Sequence, residues 1–348
     1  MNYFFKKLIA FIVIPILILW VVELFCFPIN YFTHRNWEAL LLKSKIPHYG
    51  AFWPNLNVQS VEEGDLAYAT KFAIDKKVTW KTDELGNRNE VVINQADILI
   101  IGDSFIAGTS LSQEQIFSYQ LSKEYGDKLK IYNLAPSTFS YWVRLIEQGI
   151  IKKPKCLIFS CIERSIPEVF VYKNNSNSYW EKIKNKIRET NIASAADRFS
   201  RFYSLKWTAA RIKNDHGAGI QSKVNNKMFF LQGNSVLNRN KADAFKIIEA
   251  IQSYKKFCDS IGVDFLFLPM PNKESVYYDL VPLSHQPDFL FKLDSLLIQR
   301  KVETVNTLLL YNQNKKKNKF LYQLDDSHWN QYGVKIVAKA VKEKLGQI

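Results

Sequence analysis

Apolar runs of strand length alternate along this chain with segments of helical spacing, and that alternation constrains the fold more tightly than any other feature. The run "ADILIIGDS" (96–104) is followed by "SLSQEQIFSYQLSKEYG" (110–126), in which Ser112 and Gln115 stand as a capping box ahead of an amphipathic helix. "LKIYNLA" is the next predicted strand, "YWVRLIEQGII" the next helix and "PKCLIFSCI" the strand after it. Further on, "ADAFKIIEAIQSYKKFCDSIG" reads as a helix ended by Gly262, "VDFLFLPMP" as a strand bounded by prolines, and "NQYGVKIVAKAVKEKL" as a closing amphipathic helix. Strands apolar on both faces must be covered on both faces. The pattern therefore predicts a three-layer α/β/α sandwich around a mostly parallel sheet. With 348 residues, 47% of them hydrophobic, the chain can bury such a core.

The stretch from Leu8 to Phe27 is almost wholly apolar, with Glu23 near its far end. It has about the ~20 residues needed to cross a bilayer. A cleaved signal peptide is the rival reading, but the apolar part is long for one and no small-x-small site precedes Phe27. An uncleaved transmembrane helix is therefore expected. Lys6 and Lys7 ahead of it place the N-terminus in the cytoplasm and the remainder outside, with His34, Arg35, Lys43 and Lys45 weighing the other way. This divides the chain into a cytoplasmic tip and anchor (1–28), a juxtamembrane linker and lead-in (29–78), and a folded domain (79–348).

The formal net charge is +14, and residues 171–227 hold twelve Lys or Arg against Glu181, Glu189, Asp197 and Asp215. Apolar and aromatic residues recur there at roughly helical spacing, so the segment is expected to be a basic helical insertion. It is either a solvated helix pair or a surface for anionic headgroups or an acidic glycan. Nucleic acid is not expected as a partner of an extracytoplasmic domain. Four cysteines, at 26, 156, 161 and 258, fit neither a disulfide framework nor a zinc site. They read as buried thiols.

In a parallel sheet of this kind ligands bind beyond the carboxyl ends of the strands. Gly102, Asp103 and Ser104 stand at such an end. Gly102 permits a turn or a close backbone approach, and Ser104 is a candidate nucleophile if a base reaches it. At the other end of the chain, "LDDSHWN" sets Asp325 and Asp326 just before His328 and the closing helix. A serine nucleophile needs an imidazole to take its proton, and the imidazole needs a carboxylate to fix its tautomer. All three residue types are present.

"GDSF" and "DDSHWN" resemble the first and last blocks of the SGNH/GDSL hydrolase superfamily, whose fold is flavodoxin-like. More narrowly, the chain resembles the alginate O-acetyltransferase-like branch. "TDELGNRN" (82–89), "IER" (162–164) and "PMPNKESVYYDLVP" (269–282) are similar to further motifs of that branch, and the likeness covers about residues 80–345. It implies a serine O-acetyltransferase in residues 79–348, with Ser104, His328 and an aspartate as its catalytic residues; an esterase or lipase using water as acceptor, and a non-catalytic glycan-binding scaffold on the same fold, are the alternatives. Asp325 has the usual superfamily spacing to the histidine, whereas the branch spacing points to Asp326, which is slightly preferred.

The chain departs from the superfamily's middle blocks. "NLAPSTFS" offers Thr138, or Ser137 beside it, where the superfamily has an oxyanion-binding glycine, and "FSCIERS" lacks the third block's asparagine. Arg164 is then a candidate to stabilise developing negative charge, or else a partner of Glu163 or another acid. Lys273 and Tyr277 are candidates to border the cleft or to satisfy a loop. The resemblance implies no metal or diffusible cofactor. It also implies a polysaccharide acceptor outside the membrane and a membrane-embedded acyltransferase partner that supplies the acyl group.

Overall fold

The structure, a computed structural model, describes residues 3–26, 37, 40–41, 49–68, 70–172, 219–222, 224–231, 244–281, 283, 285–316 and 319–346, and for 19–26 the backbone alone. Its centre is a five-stranded parallel sheet of β3 (Ile98–Ile101), β4 (Ile131–Asn133), β5 (Cys156–Ile162), β8 (Asp264–Met270) and β9 (Glu303–Thr304), in the order β4-β3-β5-β8-β9. Every residue of β3 and β5 is buried, as their almost wholly apolar composition requires.

The helices in this region are α2 (Ser104–Ala107), α3 (Phe117–Glu124), α4 (Phe139–Glu147), α5 (Ala244–Ser260), α6 (Lys273–Val276), α7 (Phe289–Gln299), α8 (Thr307–Asn314) and α9 (Gln331–Leu345). Parallel crossovers are right-handed, so reversing direction after β4 sends α3 to one face of the sheet and α4, α5 and α7 to the other. The packing agrees. α3 lies against α9, and α7 against α5. Phe139 of α4 stacks on Tyr254 of α5 with centroids 4.1 Å apart. The order reverses between β3 and β5, and that reversal opens a crevice at their carboxyl ends.

Two antiparallel hairpins are added to this sandwich. β1 (Asn57–Glu62) pairs β2 (Lys76–Lys81), from Asn57 opposite Lys81 to Glu62 opposite Lys76. β6 (Gly219–Gln221) pairs β7 (Phe229–Leu231). β2 runs across position 79, where the folded domain was expected to begin, and its Trp80 is fully buried against Phe52. The lead-in is thus packed into the domain.

α1 (Tyr3–Cys26) is a helix of 24 residues. Among the described residues, no helix is long and apolar enough to cross a membrane. The expected transmembrane helix is therefore not shown as one. Most of the basic segment, 173–218, lies outside the described residues. Of the four thiols, Cys156, Cys161 and Cys258 are buried and form no disulfide among the described residues.

Candidate active site

The turn after β3 is fixed by Asp103. Its carboxylate caps α2, accepting from the Phe105 N–H at 2.9 Å, and its other oxygen accepts from the Ile162 N–H at 2.8 Å. One side chain thus ties the ends of β3 and β5 together and leaves Ser104 on the first turn of a helix, where backbone N–H groups have no intrahelical partner. Gly102 serves close approach: a Cβ there would lie 2.8 Å from the Ser160 carbonyl oxygen of β5.

His328 arrives from the loop before α9. Asn330 starts that helix by accepting from the N–H groups of Tyr332 and Gly333, both at 3.0 Å. The His328 ring is buried, tilted against Phe105 at 4.8 Å between centroids, and Trp329 donates its indole N–H to the Phe105 carbonyl. Ser104 Oγ lies 2.8 Å from His328 Nε2, and His328 Nδ1 lies 2.5 Å from Asp326 Oδ1.

Burial opposes ionisation of Asp326. The hydrogen bonds from His328, and its charge whenever the ring is protonated, outweigh burial and hold the carboxyl well below the usual range. An ionised Asp326 only accepts, so Nδ1 carries the ring proton and the Nε2 lone pair faces the serine hydroxyl. Ser104 Oγ–H is then the donor and His328 Nε2 the acceptor.

Of the two candidate acids, Asp326 is the one that contacts His328. Its Oδ1 also accepts from the His328 N–H, and its Oδ2 accepts from the Asp65 N–H and the Ser110 hydroxyl. Asp325 turns the other way. It accepts from the N–H groups of Gly64 and Ile74 at 2.9 Å and pairs with Lys76, so it binds the β1–β2 connection to the histidine loop. Gly64 is confined there, because a Cβ would lie 2.1 Å from the Asp325 carbonyl oxygen.

The remaining candidates divide. The Ser137 N–H is already donated to the Gly102 carbonyl, while its hydroxyl is buried without a partner. Thr138 caps α4 with its side chain, accepting from the Tyr141 N–H at 3.3 Å. Arg164 is half-buried, with its guanidinium 5.7 Å from the centre of the Phe105 ring and Nη1 3.5 Å from Asn272 Oδ1. Lys273 and Tyr277 are buried and do not line a cleft. The Tyr277 hydroxyl accepts from the Leu321 N–H, and Lys273 binds main-chain carbonyls.

Several members of this network escape sequence reasoning. Asp65 holds the Ser327 N–H and hydroxyl on its two oxygens, each at 2.8 Å. Glu62 accepts from Trp80 Nε1 and the Ser110 N–H, and burial pushes its carboxyl up. Arg88 is fully buried, stacked 3.4 Å above Trp80, and donates to the carbonyls of Ala107, Gly108 and Leu111 behind α2. Burial brings it down to about 9. In the sequence "VEEGD" looks like an exposed acidic turn, and only Arg88 sat in a motif. Asp65, Asp326 and His328 offer ligand atoms within 4.8 Å of one another. Those atoms are already engaged with one another and with Ser327, so the cluster is satisfied by hydrogen bonds alone.

No family model and no curated protein matches the chain. Solved structures that match include the crystal structure of TesA, at 12% identity and a TM-score of 0.38, covering 72% of this chain and 97% of that one. Another is a lipase/acylhydrolase from Enterococcus faecalis, at 10% identity and a TM-score of 0.36, covering 73% of this chain and 95% of that one. At these values the functional reading rests on the site's own geometry.

Proposed function

We propose that the chain is a serine enzyme that transfers acyl groups, acting as a membrane-anchored, extracytoplasmic O-acyltransferase on a polysaccharide. The observation that carries the chemistry is the continuous hydrogen-bonded line from Ser104 through His328 to Asp326. Ser104 Oγ attacks an ester carbonyl while His328 Nε2 takes its proton, and the new C–O bond gives a tetrahedral oxyanion. The Ser104 N–H and the Thr138 N–H hold that oxyanion, and Arg164 adds positive charge nearby. His328 returns the proton to the departing alkoxide. A sugar hydroxyl, deprotonated in turn by His328, then takes the acyl group from Ser104.

The acceptor is inferred from the resemblance to the alginate O-acetyltransferase-like branch. Support for that branch comes from the two-residue spacing of Asp326 and His328, which is its spacing. The apolar stretch from Leu8 to Phe27 in the sequence supports anchoring, with Lys6 and Lys7 on the cytoplasmic side and a membrane-embedded partner as the acyl source. Water in place of the sugar makes the same site an esterase, because the triad serves both half-reactions. The test supplies the full chain in detergent with a small acetyl ester and a set of acidic and neutral polysaccharides. Ser104-dependent O-acetyl groups on a glycan support the transferase, whereas free acetate alone, at a rate no glycan changes, supports the esterase.

A further inference from the structure

We propose that Lys273 is a positioning residue of the triad: its ammonium group gathers three carbonyls of the 323–326 backbone and so presents Asp326 to His328. The inference rests on the reading of Ser104, His328 and Asp326 as catalytic. Lys273 Nζ lies 2.5 Å from the Gln323 carbonyl oxygen, 2.8 Å from that of Leu324 and 3.0 Å from that of Asp326. It thus makes one bond for each of its three N–H groups. The side chain is 1% exposed, so water does not replace those bonds. The held backbone belongs to the very loop whose next residues are Ser327 and His328, and it includes the carbonyl of Asp326 itself.

The groups around this ammonium come from every element packed on it. Glu274 lies on its own helix, Asp325 and Asp326 on the gripped loop, and Asp65 on the β1–β2 connection. From β7 the Phe230 ring centre lies 5.5 Å away. Burial lowers Lys273 to about 8, although all four carboxylates oppose that shift. A neutral amine has two N–H groups for three carbonyls, so the grip weakens as the proton leaves. Activity should therefore fall in mildly alkaline solution.

Stability moves the other way. A lysine whose folded pKa lies below its unfolded value makes unfolding harder as pH rises between the two, here from about 8 towards the unfolded value near 10.4. Loss of turnover without loss of folding is the signature expected.

The experiment uses the full chain, labelled with nitrogen-15 histidine in detergent, as wild type and as Lys273→Met. It follows the far-downfield Nδ1–H resonance of His328, assigned with His328→Gln, together with turnover of a small acetyl ester and circular dichroism. Wild type should lose the resonance and kcat together with a midpoint near 8 while its circular dichroism is unchanged. Lys273→Met should lack the resonance at neutral pH and lose roughly ten- to a hundredfold in kcat, with KM little changed. A Met variant that keeps both resonance and kcat, or a wild-type resonance that is unchanged from neutral pH to pH 10, would overturn the proposal. If the Met variant does not fold, the wild-type titration decides alone. A resonance that behaves as expected in a protein without ester turnover would defeat the enzymatic reading and leave the positioning role standing.

Discussion

Ser104 Oγ and His328 Nε2 meet at 2.8 Å across 224 residues of sequence. The meeting is built by two elements that share no local signal. A helix of four residues, capped by Asp103, presents the serine, and the loop ahead of α9 presents the histidine. Phe105 and Trp329 pack the two together with centroids 5.7 Å apart.

Asp326 and Asp325 should separate cleanly on substitution. In Asp326→Asn the amide can donate towards Nδ1, which favours the tautomer with hydrogen on Nε2 and removes the base from Ser104. Ester turnover should fall by about ten-thousandfold, and the melting temperature should fall as well, because whichever way the amide turns, its NH2 group meets a donor that the carboxylate now accepts from. In Asp325→Asn the His328 contacts are intact, but Lys76 loses its charged partner in a mostly buried site. Stability should fall by roughly 1–3 kcal/mol while turnover stays near wild type. Melting curves and initial rates on both variants check this, and equal kinetic losses would contradict the assignment.

Gly64→Ala tests the packing of the lead-in hairpin. Its Cβ would press on the Asp325 carbonyl at 2.1 Å, and backbone atoms cannot move aside cheaply. Overpacking of this kind costs about 1–3 kcal/mol, and occasionally more. The variant should melt lower than wild type and lose turnover as well, because Asp65, the next residue, holds Ser327 and donates to Asp326. An unchanged melting temperature would mean that the hairpin is not packed as described.

The membrane placement is tested by the chain's own topology. A reporter fused after Ile348 should be active only on the extracytoplasmic side, and the protein should stay with membranes after alkaline carbonate extraction. Activity on the cytoplasmic side would remove an external polysaccharide as the natural acceptor.

The parallel sheet was legible because its strands are apolar throughout: β3, β5 and β8 carry almost no polar residue to hide. The hairpin of β1 and β2 was not, since β1 alternates mostly exposed and half-buried residues and β2 buries only Val78 and Trp80, set among lysines. Ser104 and His328 could be picked out because each stands in a recognisable local string, "GDSF" and "DDSHWN". The choice between Asp325 and Asp326 was less so, because adjacent carboxylates differ only in which way the loop turns them. Asp65 and Glu62 were invisible for a deeper reason. Their hydrogen bonds to Ser327 and Ser110 span 262 and 48 residues, and nothing in "VEEGD" announces that it will be buried. Lys273 sat in a recognised motif, but its partners are carbonyls, which carry no sequence signature.

Trapping the acyl-enzyme tests the central claim most directly. The full chain is mixed rapidly with a small activated acetyl ester, quenched in acid, digested and sequenced by mass spectrometry, beside Ser104→Ala and His328→Ala. The Ser104 peptide of the wild type should carry one acetyl group, that of Ser104→Ala none, and that of His328→Ala should gain it much more slowly, with all three proteins folded by circular dichroism. Acetyl on another residue together with wild-type ester turnover in Ser104→Ala would contradict that claim.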